Sequence, residues 1–281
     1  MHRTKVGIVG MGFIGKAHLD ALRRIADVEV AAIAEHGEKK ARELAARCGV
    51  PRGYGDPFEM IRDAGIDAVH NCTPNAWHDR INLAAIDAGK HVYAEKPLSD
   101  TAAAAREVWQ RAERAGVVHG LNHQYRMNPA VQEMRARILR GDMGRVFLVS
   151  GRYHQQSGLY ETDYNWRMTE GGMSCGLSDI GTHWVDTARC VLGQRVTRVF
   201  AHVQTIHPVR VKPGGERVEV STDDLSCVLL SFEGGAQGVL TVSKVSAGHM
   251  NDLALGVDGQ RFSLYWEQEN PNRLRIGCKD A

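Results

Sequence analysis

The stretch Lys5–Gly15 reads Lys-Val-Gly-Ile-Val-Gly-Met-Gly-Phe-Ile-Gly and decides the fold of the first part of the chain. Its first five residues are mostly apolar and β-branched, which is typical of a buried strand. Three glycines spaced Gly-x-Gly-x-x-Gly follow, and residues 16–24 then have the apolar periodicity of a helix. The N-terminus of such a helix offers unpaired N–H groups and a partial positive charge to phosphates. The stretch therefore predicts a dinucleotide-binding fold.

Each glycine has its own role in such a turn. Gly10 permits the tight turn, Gly12 lets the backbone approach a pyrophosphate, and Gly15 allows the helix to pack closely on the strand. A second predicted strand ends in Glu35, which lies 20 residues after Gly15. A carboxylate there binds the ribose 2′-hydroxyl and repels a 2′-phosphate, so we expect NAD rather than NADP. A surface glutamate is the alternative interpretation, and the basic residues that follow it would soften the repulsion.

The composition argues against several classes of protein. The chain has 281 residues, and its 35 basic and 33 acidic side chains give a charge of +2, which argues against a nucleic-acid binder. No apolar run reaches the roughly 18 residues of a membrane span, and the first strand begins too close to Met1 for a signal peptide. The six cysteines contain no Cys-x-x-Cys pair, which favours reduced thiols over a disulfide or zinc framework. We expect a cytoplasmic protein with no nucleic-acid partner, no membrane partner and no metal.

Predicted strands and helices alternate through the first part of the chain. Further strands are predicted at residues 67–73, 91–95 and 117–124, and we expect Asp56 and the pair Ser99–Asp100 to cap two of the intervening helices. Such alternation implies a parallel sheet with right-handed crossovers, whose ligands lie outside the carboxyl ends of the strands. Besides Glu35, the residues at those ends are Thr73–Asn75, Glu95–Pro97 and Asn122.

The pattern changes after about residue 124. A helix is predicted from Asn128 to Arg140, and one further helix from Leu177 to Leu192. The strand-like runs after it are joined by tight turns, which predicts a largely antiparallel sheet with helices on one face. The chain is thus predicted to be an α/β protein with two domains. Residues 1–123 form a parallel sheet, and residues 124–281 form an α+β domain with a large, mostly antiparallel open sheet.

Two residues on the predicted helix over residues 177–192 indicate acid–base chemistry. Asp179 and His183 are four residues apart, so their side chains share one helix face, and Asp186 lies near that face. Oxidation of an alcohol with NAD needs a group that takes the hydroxyl proton. Histidine suits this role, because its unperturbed pKa of about 6.5 is near working pH. The ammonium group of Lys96, in the loop after a strand, would polarise the hydroxyl oxygen.

These residues also have simpler interpretations. A lysine in a loop is usually a solvated charge, and an Asp–His pair one turn apart is usually a surface pair. Asp179, His183 and Asp186 would also suit a divalent metal, although no further cluster with ligand spacing accompanies them. Four other histidines are interpreted as structural or surface residues: His18, His78, His91 and His154.

Several motifs occur along the chain in a fixed order. They are the glycine stretch ending at Gly15, Thr73-Pro74-Asn75-x-x-His78, Tyr93-Ala94-Glu95-Lys96-Pro97-Leu98, Tyr125-Arg126, Gly171-Gly172 and Asp179-x3-His183-Trp184-Val185-Asp186. With these motifs the chain resembles the glucose-fructose oxidoreductase / inositol dehydrogenase / MocA family over nearly its whole length. The Glu-Lys-Pro loop combined with Asp-x3-His is the most specific part of the resemblance.

The resemblance implies an N-terminal Rossmann domain and a C-terminal domain whose sheet forms the interface of a homodimer or homotetramer. Members of the family bind NAD or NADP and mostly oxidise or reduce a hydroxyl or carbonyl of a sugar or cyclic polyol. Lys96 would contact the substrate and the nicotinamide ribose, His183 would be the acid/base, and Asp179 would bind a neighbouring hydroxyl. The cofactor-binding residues would be Gly10, Met11, Gly12, Phe13, Ile14, Gly15, Glu35, Thr73, Pro74, Asn75, His78, Glu95 and Lys96.

The segment Tyr164-Asn165-Trp166-Arg167 is a candidate wall for a sugar. An aromatic face suits the C–H side of a pyranose, while amide and guanidinium groups suit ring hydroxyls. The alternative is that Trp166 packs between the domains. The candidate substrate-binding residues are Lys96, Asn122, Tyr153, Asn165, Trp166, Arg167, Asp179 and His183.

Two other functions are compatible with the same motifs. One is a non-catalytic, NAD-binding regulator of the same fold, and the other is an NAD-dependent glycosidase that oxidises a sugar position transiently. Family chains usually continue several tens of residues beyond the segment around Asn270, whereas this sequence stops at Ala281. We therefore expect part of the substrate-domain packing to be missing and the monomer to be weakly stable.

Overall fold

The computed structural model describes residues 3–165, 168 and 176–279 of the chain. It divides into two compact units, residues 1–122 and 123–281. Each unit has its own sheet and its own buried core.

The first unit is built on a six-stranded parallel sheet with the strand order β3-β2-β1-β4-β5-β6. Both faces of the sheet are covered by helices, so central residues such as Ile8, Ile33 and Val69 are fully buried. The strands are β1 (Thr4–Val9), β2 (Val28–Ala34), β3 (Arg52–Tyr54), β4 (Ala68–Asn71), β5 (His91–Glu95) and β6 (His119–Asn122). The helices are α1 (Phe13–Leu22), α2 (Glu38–Arg47), α3 (Pro57–Arg62), α4 (His78–Asp87) and α5 (Ala102–Ala115). The predicted parallel sheet is therefore confirmed.

One of the two predicted helix caps is correct. Asp56 accepts a hydrogen bond from the N–H of Phe58 at 2.8 Å, which caps α3 as expected. Helix α5 is capped instead by Thr101, whose hydroxyl accepts from the N–H of Ala104 at 3.1 Å. The prediction of Ser99–Asp100 as the cap was wrong, because the Ser99 hydroxyl donates to Asp79 at 3.0 Å.

The second unit is built on a seven-stranded sheet with the strand order β15-β14-β13-β7-β12-β11-β8. Among the described strands of this sheet, only β7 and β12 pair in parallel and the remaining pairs are antiparallel, which confirms the prediction of a mostly antiparallel sheet. The strands of this sheet are β7 (Val146–His154), β8 (Val196–Gln204), β11 (Leu225–Phe232), β12 (Gln237–Ser243), β13 (Asp252–Gly259), β14 (Phe262–Glu267) and β15 (Leu274–Cys278). A separate hairpin joins β9 (Val209–Val211) to β10 (Arg217–Glu219). The strands β3, β9 and β10 were not predicted, because three residues are too few for a clear alternation of apolar residues. The strand β15 was not predicted either.

One face of this sheet packs against α6 (Pro129–Leu139) and α7 (Thr182–Leu192). Trp184 of α7 is fully buried there, and its indole N–H donates to the carbonyl of Ala254 at 2.9 Å. The helix predicted from Leu177 to Leu192 is confirmed, although its first turn, Leu177–Gly181, is a π-helix and not an α-helix.

Candidate active site

The glycine turn of the first unit has the shape of a phosphate cradle. Gly10 has φ +87°, and a Cβ there would lie 2.7 Å from the carbonyl oxygen of Cys72. A Cβ on Gly15 would lie 2.0 Å from the carbonyl oxygen of Gly10, so neither position accepts a side chain. A Cβ on Gly12 would meet no atom of the described residues within 4 Å. Gly12 therefore keeps open the space before α1, whose first N–H groups have no side-chain cap from the described residues.

Glu35 lies beside this turn, directly after β2. Its Oε2 accepts from the N–H of Met11 at 3.2 Å, and its Oε1 accepts from the N–H of His36 at 3.0 Å and from Lys40 Nζ at 3.3 Å. Burial alone would raise the pKa of Glu35, but these hydrogen bonds hold it below the ordinary value. A cavity of 330 Å³ begins here, and its lining residues include Glu35, His36, Pro57, Thr73, Pro74 and Trp77. An ionised, half-buried carboxylate at this edge fits the ribose of a dinucleotide.

The side chain of His78 links two loops at the strand ends. Its Nε2 lies 2.9 Å from the carbonyl oxygen of Thr73, and its Nδ1 lies 2.5 Å from that of Pro97. The ring is only 1% exposed. In this structure His78 thus holds the loops that carry Thr73–Asn75 and Lys96, and its contact with the cofactor stays a prediction. The Lys96–Pro97 peptide bond is cis.

Glu95, which precedes Lys96, belongs to a buried polar cluster. Its Oε1 accepts from Asn122 Nδ2 at 2.6 Å and lies 3.0 Å from His18 Nε2. Burial alone would raise the pKa of Glu95. The hydrogen bonds from His18 and Asn122 outweigh this effect and hold the pKa below its ordinary value, so the carboxyl group is ionised. His18 Nδ1 lies 3.0 Å from His70 Nδ1. Burial, together with the neighbouring His18, lowers the pKa of His70 to about 4.

The sequence analysis did not reveal this cluster as a whole. A structural role, one of the two interpretations of His18, agrees with its contacts, whereas His70 was not considered. A signal was present, because His18 shares the buried face of α1 with Gly15, Leu19 and Leu22, and a buried histidine requires partners. Asn122, predicted to bind substrate, is engaged with Glu95 and accepts from the hydroxyl of Tyr93 at 2.9 Å.

In the second unit His183 is enclosed by aromatic rings. It is 5% exposed, and its ring centroid lies 5.0 Å from that of Tyr125, 5.6 Å from that of His123 and 6.2 Å from that of Tyr153. The hydroxyls of Tyr125 and Tyr153 are 2.9 Å apart, and both contact the side-chain amide of Asn251. This cage restricts the orientation of the imidazole.

Two predicted residues near His183 are committed to other partners. Tyr153 is 3% exposed, and its hydroxyl donates to Asn251 Oδ1 at 2.6 Å, so in this structure it supports the cage. Burial raises the pKa of its hydroxyl. Both oxygens of Asp186 bind the guanidinium of Arg126, and this ion pair raises the pKa of Arg126. Both carboxylate oxygens of Asp186 are therefore engaged by Arg126, which disfavours the alternative in which Asp179, His183 and Asp186 bind a metal.

Asp179 has an ion-pair partner that the sequence did not reveal. Lys244 Nζ lies 2.8 Å from Asp179 Oδ2, and the side chains are 7% and 15% exposed. Of the loop predicted to form a sugar wall, Tyr164 and Asn165 lie within the described residues. Trp166, Arg167 and the motif Gly171-Gly172 lie outside them.

Within the described part of the chain, one group of side chains brings three possible metal ligands within 4.8 Å of one another: His154, His249 and Asp252. Asp252 Oδ2 accepts from Arg152 Nε at 2.5 Å and lies 2.7 Å from His249 Nδ1. His154 Nε2 lies 2.9 Å from the hydroxyl oxygen of Thr241. The group is thus an ion-pair network in which a guanidinium neutralises the carboxylate.

Among the described residues, no helix combines the length and the apolar character needed to cross a membrane. A parallel sheet with an anion cradle at its strand ends, joined in one chain to a second sheet carrying a caged histidine, defines a dinucleotide-binding oxidoreductase.

Comparison with known proteins identifies the family. Residues 4–123 match the family model described as an oxidoreductase family with an NAD-binding Rossmann fold, and residues 131–268 match the GFO/IDH/MocA C-terminal domain. The chain belongs to the GFO/IDH/MocA family.

Relatives with assigned activities cover nearly the whole chain. Levoglucosan dehydrogenase of Pseudarthrobacter phenanthrenivorans is 30% identical over 98% of this chain and 76% of its own length. Myo-inositol 2-dehydrogenase of Thermotoga maritima is 28% identical over 93% of this chain and 74% of its own length. The solved complex of levoglucosan dehydrogenase with NADH and levoglucosan superposes with a TM-score of 0.93 at 29% identity, over 100% of this chain and 77% of that one.

Proposed function

We propose that this chain is an NAD-dependent oxidoreductase that interconverts a hydroxyl and a carbonyl group on a sugar or cyclic polyol. The names of its relatives describe dehydrogenases of levoglucosan and myo-inositol, two ring compounds with several hydroxyl groups. The observation that carries the proposal is the caged His183, four residues after the ion-paired Asp179, in a unit that matches the family's C-terminal domain.

Three residues share the chemistry in this proposal. His183 takes the proton from the substrate hydroxyl and returns it in the reverse reaction. The ammonium group of Lys96 polarises the same oxygen and stabilises its developing negative charge. Asp179 accepts a hydrogen bond from a neighbouring hydroxyl and so fixes the orientation of the ring. NAD, when bound, accepts the hydride from carbon.

The first unit would hold the cofactor through its strand-end loops. We propose that the turn Gly10–Gly15 binds the pyrophosphate and that Glu35 binds the adenosine ribose. The cavity beside Glu35 would take the adenosine, with Trp77, which is 43% exposed, as an aromatic wall. The ionised Glu35 favours NAD over NADP, because a carboxylate repels the 2′-phosphate.

Turnover of a polyol panel tests the proposal. NADH production should be measured with inositols, aldoses and anhydrosugars, and should be strongly reduced by Lys96→Ala and by His183→Ala. Tight NAD binding without turnover of any compound would instead identify a non-catalytic regulator. Release of an aglycone from a glycoside without net NADH would identify an NAD-dependent glycosidase.

We also propose that the chain forms a homodimer or homotetramer through the open face of the second sheet. The strand register places Phe200, Leu229 and Val239 side by side on three adjacent strands, and they are 68%, 53% and 40% exposed. Contiguous exposed apolar side chains of this kind are typical of an interface. Sedimentation of the protein and of the Leu229→Glu variant tests this, and a monomeric wild-type protein would refute it.

A cytoplasmic location is proposed from the cysteines. Those in the described residues are free thiols: Cys48, Cys72, Cys190, Cys227 and Cys278. Free thiols are typical of a reducing compartment. Cell fractionation tests the location, and recovery of the protein outside the cytoplasm would refute it.

A further inference from the structure

Lys244 is a buried cation whose side chain reaches the proposed substrate-binding carboxylate. It follows β12 directly and is 5% exposed. Its N–H donates to the carbonyl of Asp224, and its own carbonyl accepts from the N–H of Gly158, both at 2.8 Å. Asp224 is itself fixed by an ion pair with the fully buried Arg210. The backbone of Lys244 is therefore held from two sides before its side chain extends to Asp179.

The contact with Asp179 is a charge-assisted hydrogen bond of 2.8 Å between two largely buried groups. Burying two charges is costly, and an apolar pair of similar volume would serve stability as well or better. The pair therefore points to a requirement for the carboxylate itself. An adjacent ammonium group stabilises the ionised form of Asp179 and orients one of its oxygens.

We propose that Lys244 is a positioning residue that keeps Asp179 ionised and oriented, so that Asp179 accepts a hydrogen bond from a second substrate hydroxyl. The inference rests on the proposed function and narrows its substrate class to compounds with a hydroxyl next to the reacting one. The carboxylate of Asp179 is already engaged by the ammonium group of Lys244, so the proton of the reaction is left to His183. Lys244 acts through Asp179 and touches neither the reacting atoms nor the cofactor.

The variants Lys244→Met, Lys244→Arg, Asp179→Asn and the double variant K244M/D179N test this role. Lys244→Met should raise the KM for the polyol about 10- to 100-fold, which is the effect of losing a charge-assisted hydrogen bond, while kcat changes less. Lys244→Arg, which keeps the positive charge, should raise the KM for the polyol less than Lys244→Met does. The double variant should be no worse than Asp179→Asn alone, because Lys244 acts only through that residue.

Lys90→Met is the matched control, since the ammonium group of Lys90 donates to the carbonyls of Asp63 and Ile66 within the first unit. It should leave the KM for the polyol unchanged. If Lys244→Met does not fold, the double variant, which leaves no uncompensated charge, replaces it. A KM within twofold of wild type in Lys244→Met, or single effects that multiply in the double variant, would overturn the inference.

Calorimetry of polyol binding to the NADH-loaded protein separates this inference from the proposed function. If wild type binds a vicinal diol without turnover and Lys244→Met weakens that binding, the role of Lys244 stands and the oxidoreductase proposal fails. If wild type turns over a polyol and Lys244→Met binds it equally well, the oxidoreductase proposal stands and the role of Lys244 fails. If no polyol binds, both fail.

Discussion

The two units assemble their candidate residues in different ways. In the first unit, Gly10–Gly15, Glu35, Thr73–Asn75 and Lys96 each follow the end of a strand of one parallel sheet. In the second unit, His183 and Asp179 depend on contacts from Tyr125, Tyr153 and Lys244, which come from distant parts of the chain. A strand-end site is specified largely by local sequence, whereas a caged site is specified by tertiary packing.

The largest effect should come from the residues proposed to act on the reacting oxygen. Lys96→Ala and His183→Ala should each lower kcat about 10²- to 10⁴-fold, which is the usual contribution of a general acid–base or electrostatic group. Steady-state NADH production measures this. NADH affinity should fall much less in His183→Ala than in Lys96→Ala, because only Lys96 is also assigned to the cofactor. Activity of either variant within threefold of wild type would remove that residue from the mechanism.

Two glycine substitutions in the first unit distinguish a glycine needed for helix–strand packing from one needed for the approach of the pyrophosphate. Gly15→Ala should lower the thermal midpoint and weaken NADH binding about 100-fold, because its Cβ would meet the Gly10 carbonyl at 2.0 Å. Gly12→Ala should keep the wild-type thermal midpoint and still weaken NADH binding, because its Cβ enters the space kept open for the pyrophosphate. Fluorescence titration and thermal unfolding distinguish the two variants. Unchanged NADH affinity in Gly12→Ala would contradict the cradle.

His70 makes the buried cluster behind Glu95 sensitive to acid. Its pKa is lowered from 6.5 to about 4 in the folded protein, so the unfolded chain binds its proton first as the pH falls. Stability is therefore full above the unfolded pKa and declines from pH 6.5 towards pH 4. Wild type should lose about 2 kcal/mol of unfolding free energy from this group between pH 7 and pH 5.

The variant His70→Asn should lack this part of the pH dependence, as measured by denaturant unfolding at the two pH values. His119→Gln is the control, because His119 pairs with Glu113 near the surface and should leave the slope unchanged. An equal pH slope in wild type and His70→Asn would contradict the assignment.

The smallest effect should come from Glu35. Glu35→Gln keeps the hydrogen-bonding shape but removes the charge, so NADH affinity should fall about tenfold or less. The preference for NADH over NADPH should shrink, because repulsion of the 2′-phosphate is lost. Titration with both cofactors measures the ratio. A wild-type protein that binds NADPH as tightly as NADH would refute the cofactor assignment.

The same contrast between local sequence and tertiary packing explains which features could be predicted from the sequence and which could not. The parallel sheet, the glycine turn and Glu35 could be predicted because strand composition, glycine spacing and strand ends are local features. Lys244 could not be predicted as the partner of Asp179, because 65 positions separate them and only the placement of β12 brings them together. The π-turn at Leu177–Gly181 was missed because its composition resembles that of an α-helix. Thr101 replaced the predicted cap because Ser99 has a partner in Asp79, which is also a tertiary contact.

The parallel pairing of β12 with β7 sets the order in which the two sites can mature during synthesis. The first sheet uses only residues up to Asn122, so its cradle can close while the rest of the chain is still being made. The central pairs of the second sheet join β7 to β12 and β13, so Asp179 gains its cation only after residue 244 has emerged. Non-local pairing of this kind folds slowly. Pulsed hydrogen exchange during refolding should therefore show protection in β1 and β4 before protection in β7 and β12.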